Sequence, residues 1–386
     1  MTLRLLALLA LPVIAHSQGF VGSAACKSCH SEIYGRWTKT RMANVVADPK
    51  VHPEAILPDL SKPDPLVTFK KEDIAFTYGS KWKQRYFQKV GDDYFPLGAQ
   101  WDVTNQVWRA YQVAPNTDWW TVHYPGGNST RPTGPLCDGC HSVNYNIQTK
   151  QVTEWNVGCE KCHGPGEAHA KAPGRANIVN PARLDKVAAV DVCIQCHSQG
   201  QPLVSPNAVT GKYYDWPVGY RPGLALKDFW KLEEPKLGAT SFTHFADGTG
   251  HKNRMQGNDY VQSVMYTNGG ITCSGCHDVH GTANNAALIK PANVMCQTCH
   301  GIKAGHSGHK EGSPGNECVA CHMPAIEATI ANVNVRAHTF KFITPSMTDA
   351  YKIPNPCTTC HKDKSVAWAK EELRKWPQFS PWRVGE

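Results

Sequence analysis

The sequence predicts a mainly α and irregular fold, rich in loops, with a small antiparallel β insertion and a core that aliphatic side chains do not fill. Three observations predict it. Hydrophobic residues are only 41% of the 386, and 27 prolines and 32 glycines interrupt regular structure. Aromatics at 9% with a charged fraction of only 19% exclude a disordered chain. The third observation is the count of 16 cysteines and 18 histidines, which asks for chemistry rather than packing. No apolar run approaches the roughly 20 residues that a membrane span needs, so no transmembrane segment is expected.

Every cysteine belongs to a C-x-x-C-H motif. In chain order the eight copies are Cys26, Cys29 and His30; Cys137, Cys140 and His141; Cys159, Cys162 and His163; Cys193, Cys196 and His197; Cys273, Cys276 and His277; Cys296, Cys299 and His300; Cys318, Cys321 and His322; and Cys357, Cys360 and His361. Chance would give roughly 0.03 such motifs in a chain of this composition. Two thiols three residues apart can each add to one vinyl group of a haem, and the next histidine then lies under the iron as proximal ligand. A disulfide framework or zinc sites would leave the histidine after each second cysteine unexplained. The expected cofactors are therefore eight covalently attached c-type haems, about 46 mature residues apiece, and the haems form the core. Each haem brings two propionates, so eight ferric haems offset the formal charge of +8 and eight ferrous ones make the protein acidic. Nucleic acid is thereby excluded as a partner.

The elements follow in order. Arg4, the apolar run Leu5 to Ile14 and the small residues around Ser17 predict a signal peptide over 1–17 and export to the periplasm or the extracellular side. Residues 18–62 carry the first motif. Over 63–130 the chain alternates in period two between turn signals, at Val67 to Phe69, Ile74 to Gly79, Arg85 to Phe87, Val90 to Tyr94 and Trp101 to Trp108, which predicts an antiparallel meander. Residues 131–200 hold three motifs. The stretch 201–268, rich in glycine, proline and aromatics, reads as a wrapping loop with a short helix near Gly257 to Tyr266. Residues 269–386 hold four motifs, and Ser365 to Trp376, with Ala369, Leu373 and Trp376 on one face, predicts a closing helix.

Each iron has a second axial position, and histidines outside the motifs are the candidates for it. His169, His280, His306, His309 and His338 lie at short range from motifs; His123 and His251 are further candidates, and His52 and His244 are weaker ones. Met42, twelve residues after His30, is the thioether candidate, and would raise the potential of the haem it served. A ligating histidine needs its other ring nitrogen held by a carbonyl or carboxylate.

Phe20 to Cys26 with Trp37 and Met42-Ala-Asn resembles the opening of cytochrome c554-type multihaem proteins. Glu154 to His169, Met255 to Met265, Cys273 to Gly281, Cys321 to Pro324 and Asn355 to His361 resemble the doubled-CxxCH cytochromes. The resemblance implies a multihaem cytochrome c fold, periplasmic or cell-surface electron transfer, and family positions at His169, His251, His280 and His338. Implied partners are other redox proteins or a quinol-linked membrane complex, with a homo-oligomer as a further option. Three functions stay open: an electron carrier; an oxidoreductase with one open iron acting on a small nitrogen or sulfur oxyanion or hydroxylamine; and the subunit of an extracellular haem filament. The residues show no Walker loop, nucleophile elbow or spare cysteine to suggest other chemistry.

Overall fold

Helices in this chain are short, and several are built on a motif or stopped by proline or glycine. The structure is a computed structural model that describes residues 19–112, 119–203, 211–282, 286–302, 305–377 and 379–385; the predicted signal peptide lies outside the described residues. The longest helices among these, Lys186–Ile194 and Val366–Arg374, have nine residues each. Both start on a side-chain cap: Asp185 accepts from the Ala188 N–H, and Ser365 from the Trp368 N–H. The predicted closing helix is the second of these, with Ala369 and Leu373 buried. The helix predicted near Gly257 to Tyr266 is two pieces, Gln256–Val261 and Val264–Thr267, separated by the cap Ser263.

The β insertion is a five-stranded antiparallel sheet in sequence order. Its strands are β1 (Val46–Ala47), β2 (Phe76–Tyr78), β3 (Lys83–Val90), β4 (Asp93–Asp102) and β5 (Val107–Ala110). The structure departs from the predicted meander in three places. Val67 to Phe69 forms no strand; Val90 to Tyr94 is the β3–β4 hairpin turn, with Gly91 at φ 60°; and β1 was too short to show alternation. Pro96 is tolerated inside β4 because the ladder with β3 shifts register there, between the Arg85 and Phe87 pairs. One face of the sheet buries Ile74, Tyr86 and Leu97, while Val46, Phe76, Tyr78 and Phe87 pack against Cys137 and Trp155. The sheet thus forms a wall behind the second motif. Two ribbons that sequence alternation did not reveal, Gly200–Pro202 with Trp230–Leu232 and Ala325–Ile330 with Val333–Arg336, tie down the wrapping loop and the last motifs.

The apolar core is divided. Separate clusters form around Val190, Ile194 and Trp230, around Tyr214 and Trp216, and around Ile326, Ile343 and Ile353. Among them runs one cavity of about 2940 Å³, several times the roughly 300–1,000 Å³ of a small-molecule pocket. No helix of the described residues is long and apolar enough to cross a membrane.

Candidate haem centres

The motif spacing is one turn of helix. The N–H of His30, His197, His277, His300 and His361 donates to the carbonyl of the first cysteine of its own motif at 2.8–3.1 Å. Positions i, i+3 and i+4 share a helix face, so both thiols and the imidazole of a motif project to one side. The cavity is lined by both cysteines of the second, fourth, fifth, sixth and seventh motifs and by Cys162 of the third.

Four motif histidines face a histidine from elsewhere in the chain. The ring centres of His30 and His169 are 6.2 Å apart and 20° from coplanar, and those of His163 and His280 are 6.2 Å and 10°. His322 and His306 stand at 6.3 Å and 5°, His361 and His309 at 6.3 Å and 21°. Rings in face-to-face contact lie much closer, as His123 does on Tyr213 at 3.8 Å. Two imidazoles on opposite sides of one metal ion, with metal–nitrogen bonds of about 2.0 Å and about 1.1 Å from nitrogen to ring centre, have centres about 6.2 Å apart. The cysteines, the cavity and these spacings fit haem with two axial histidines.

The remaining ring nitrogens are fixed by the main chain. Nδ1 of His163, His277, His169, His309 and His338 contacts the carbonyls of Val179, Ala286, Gly174, Ser307 and Arg336 at 2.6–3.1 Å. This leaves Nε2 of each as the ligating atom. His338 lies within electrostatic reach of both His197 and His277, and burial pushes it down to about 4, which keeps its ring neutral and able to ligate. Burial does the same to His141, also to about 4. No other histidine ring faces His141, His197, His277 or His300 in the coplanar arrangement among the described residues. His141 packs against the Tyr78 ring at 5.5 Å, and its Nδ1 is buried without a hydrogen-bond partner.

Other sequence candidates are not brought to a motif. His123 is exposed on Tyr213. His251 directs Nε2 to the Ser241 carbonyl at 3.1 Å and its ring to Phe245. His244 is fully buried with Nδ1 on Thr243, and His52 pairs with Glu54 at the surface. Met42 lines the cavity, while the ring facing His30 is that of His169. Tyr78, whose ring packs on His141, had no signal in the sequence, because no spacing rule connects a strand residue to a motif 60 positions on.

Neighbouring motifs approach one another through their thiols. Cys26 lies within electrostatic reach of Cys159, Cys140 of Cys196, Cys193 of Cys273, and Cys296 of Cys318. Also within electrostatic reach are Cys162 and Cys193, Cys276 and Cys299, and Cys321 and Cys357. In space the motifs therefore run first, third, fourth, fifth, sixth, seventh, eighth, with the second attached beside the fourth.

Comparison with known proteins agrees with this chemistry. Residues 266–305 match the family described as doubled CXXCH motif, and residues 108–164 the family described as cytochrome c554 and c-prime. The chain is 22% identical over 390 residues to the dissimilatory sulfite reductase MccA of Wolinella succinogenes, covering 79% of this chain and 50% of that protein. It is 26% identical over 176 residues to the multiheme cytochrome MtrA of Shewanella baltica, covering 44% and 49%. The chain thus spans about half the length of the curated relatives it matches. The crystal structure of the outer cell wall cytochrome OcwA shares its fold, with a TM-score of 0.71 over 92% of this chain and 86% of that one, at 24% identity. Eight C-x-x-C-H motifs, six of them with a cysteine in the cavity wall and two within each family match, make the chain a multihaem c-type cytochrome similar to the cytochrome c554 and doubled-CXXCH families.

Proposed function

We propose that the protein is an exported octahaem electron carrier of the periplasm or cell surface, exchanging electrons with other redox proteins. The carrying observation is the set of four coplanar histidine pairs at 6.2–6.3 Å, each joining a motif to a histidine from another part of the chain. His169 follows the third motif and faces the first; His280 follows the fifth and faces the third. Each distal histidine thus pins two motifs at a fixed separation. The haems supply one-electron ferric–ferrous exchange. The chain's own residues close axial positions, fix Nε2 as ligand and exclude water. The approach of these thiols supports a path from the first motif to the eighth with the second as a side branch. The kinship in fold with an outer cell wall cytochrome supports the location.

Intact mass and a reductive titration test this reading. Eight haems and eight electrons per chain are expected, and a smaller number of either would overturn the octahaem carrier. A second reading, an oxidoreductase acting on a small oxyanion or hydroxylamine, is favoured by one observation: among the described residues no histidine ring faces His141, while the cations Arg85, Lys161 and Arg254 lie within electrostatic reach of it.

A further inference from the structure

Each haem brings two carboxylates into the cavity along with its iron, and a carboxylate taken out of water needs a charged partner. Beside the second motif the structure provides two. The guanidinium of Arg85, on β3, lies 4.1 Å from the ring centre of Tyr111, and that of Arg131, which precedes the second motif, lies 4.7 Å from the same ring. Both arginines, Tyr111 and Cys137 line the cavity.

The two guanidiniums are held in place by neutral groups. Nε of Arg85 donates at 3.2 Å to Oε1 of Gln100, its cross-strand neighbour on β4. Nη2 of Arg131 donates to Oδ1 of Asn128 at 2.7 Å, and Nδ2 of Asn128 donates to the Tyr111 carbonyl at 2.6 Å. One sheet and one asparagine thus fix both cations about a single ring. An aromatic face attracts each cation but does not cancel their mutual repulsion; an anion between them does. The flat, forked donor set of a guanidinium suits a carboxylate above other anions of one charge. Arg131 is 3% exposed, so a free anion would have to leave water to reach it. A propionate arrives tethered to a covalently attached haem, and its binding is intramolecular.

We propose that Arg85 and Arg131 form a carboxylate clamp for a propionate of the second haem. The inference rests on the octahaem reading. Two guanidiniums against one carboxylate leave a net positive charge beside the second motif, which stabilises an added electron on that iron. The side branch is thereby raised in potential and holds an electron that the path through the other motifs delivers.

The test uses the full haem-loaded protein, with midpoint potentials from spectroelectrochemistry and haem content from intact mass. Arg85→Met is expected to lower one midpoint enough to favour the oxidised form about tenfold, about 59 mV for one electron, and to leave the others in place. Arg131→Met is expected to lower the same midpoint. Arg85→Lys keeps the charge and is expected to keep the parent potential. Unchanged midpoints in Arg85→Met at full haem content would overturn the clamp, as would an equal fall in Arg85→Lys and Arg85→Met. Should Arg131→Met not fold, the half-buried Arg85 still carries the test. Sulfate, an oxyanion inert under these conditions, distinguishes a propionate from a free anion. At constant ionic strength the parent midpoints are expected to ignore it; a midpoint that follows sulfate in the parent and not in Arg85→Met would give the site to a free anion and overturn the proposal. Intact mass separates the two failures: fewer than eight haems in the parent removes the octahaem reading and the inference together, whereas eight haems with unmoved midpoints removes the clamp alone.

Discussion

His306 and His309 are three residues apart, yet their rings face different motifs, His322 and His361. Sequence proximity identified both as ligand candidates, but it could not assign them. The assignment comes from the turn over residues 305–309, in which Nδ1 of His309 contacts the Ser307 carbonyl at 2.6 Å. His306→Met therefore replaces an imidazole with a weaker-donating thioether at one iron only. One midpoint should rise while every iron stays low-spin, as read by spectroelectrochemistry with magnetic resonance on the same sample. Unshifted potentials would exclude His306 as a ligand. The candidates whose rings face no motif histidine have partners that the sequence does not show. His123 lies on Tyr213, 90 positions away, and His251 on the Ser241 carbonyl; a histidine looks the same in sequence whether its partner is an iron or a tyrosine face.

Among the elements, those legible in the sequence are those whose pattern is local. The C-x-x-C-H turns, the closing helix and the long strands of the meander carry their own signals. The strap formed by residues 19–23 does not, because three glutamates from the third-motif region hold it. Glu160 accepts the N–H groups of Val21 and Gly22 at 2.8–3.1 Å and that of Gly166 at 2.7 Å. Glu154 accepts from Ser23, and Glu167 from Gly19. The strap leads directly into Cys26, so these carboxylates set the first motif against the third. Glu160→Ala leaves three N–H groups without their acceptor, each worth roughly 1–3 kcal/mol where buried, and a loss of about 2–4 kcal/mol is expected once water reaches the outer ones. Protease cleavage within residues 19–30 should accelerate well before the four-motif half is cut. Cleavage at the parental rate would show that the strap is held by something other than Glu160.

For the whole molecule, composition was informative in a way that periodicity was not. A chain with 41% hydrophobic residues divides its apolar side chains among small clusters because its centre is reserved for haem. What composition could not supply was how many irons are closed. Nine histidines outside the motifs would suffice for eight irons, yet the fold brings only His169, His280, His306, His309 and His338 near motif histidines among the described residues. With all five as ligands, three irons lack a histidine on the second side, and no histidine ring faces His141 among the described residues. Carbon monoxide binds ferrous haem only where an axial position is open or weakly held. Added to the fully reduced protein and followed in the Soret band, it should occupy at least one and no more than three irons per chain. Nitrite and sulfite are the next additions, since Arg85 and Lys161 lie within electrostatic reach of His141 and favour anions, with hydroxylamine as the uncharged comparison. Turnover of any of them would turn the side branch into a catalytic terminus. Complete absence of carbon monoxide binding would mean that Met42, His251 or another side chain closes the remaining irons in the loaded protein, and the oxidoreductase reading would fall.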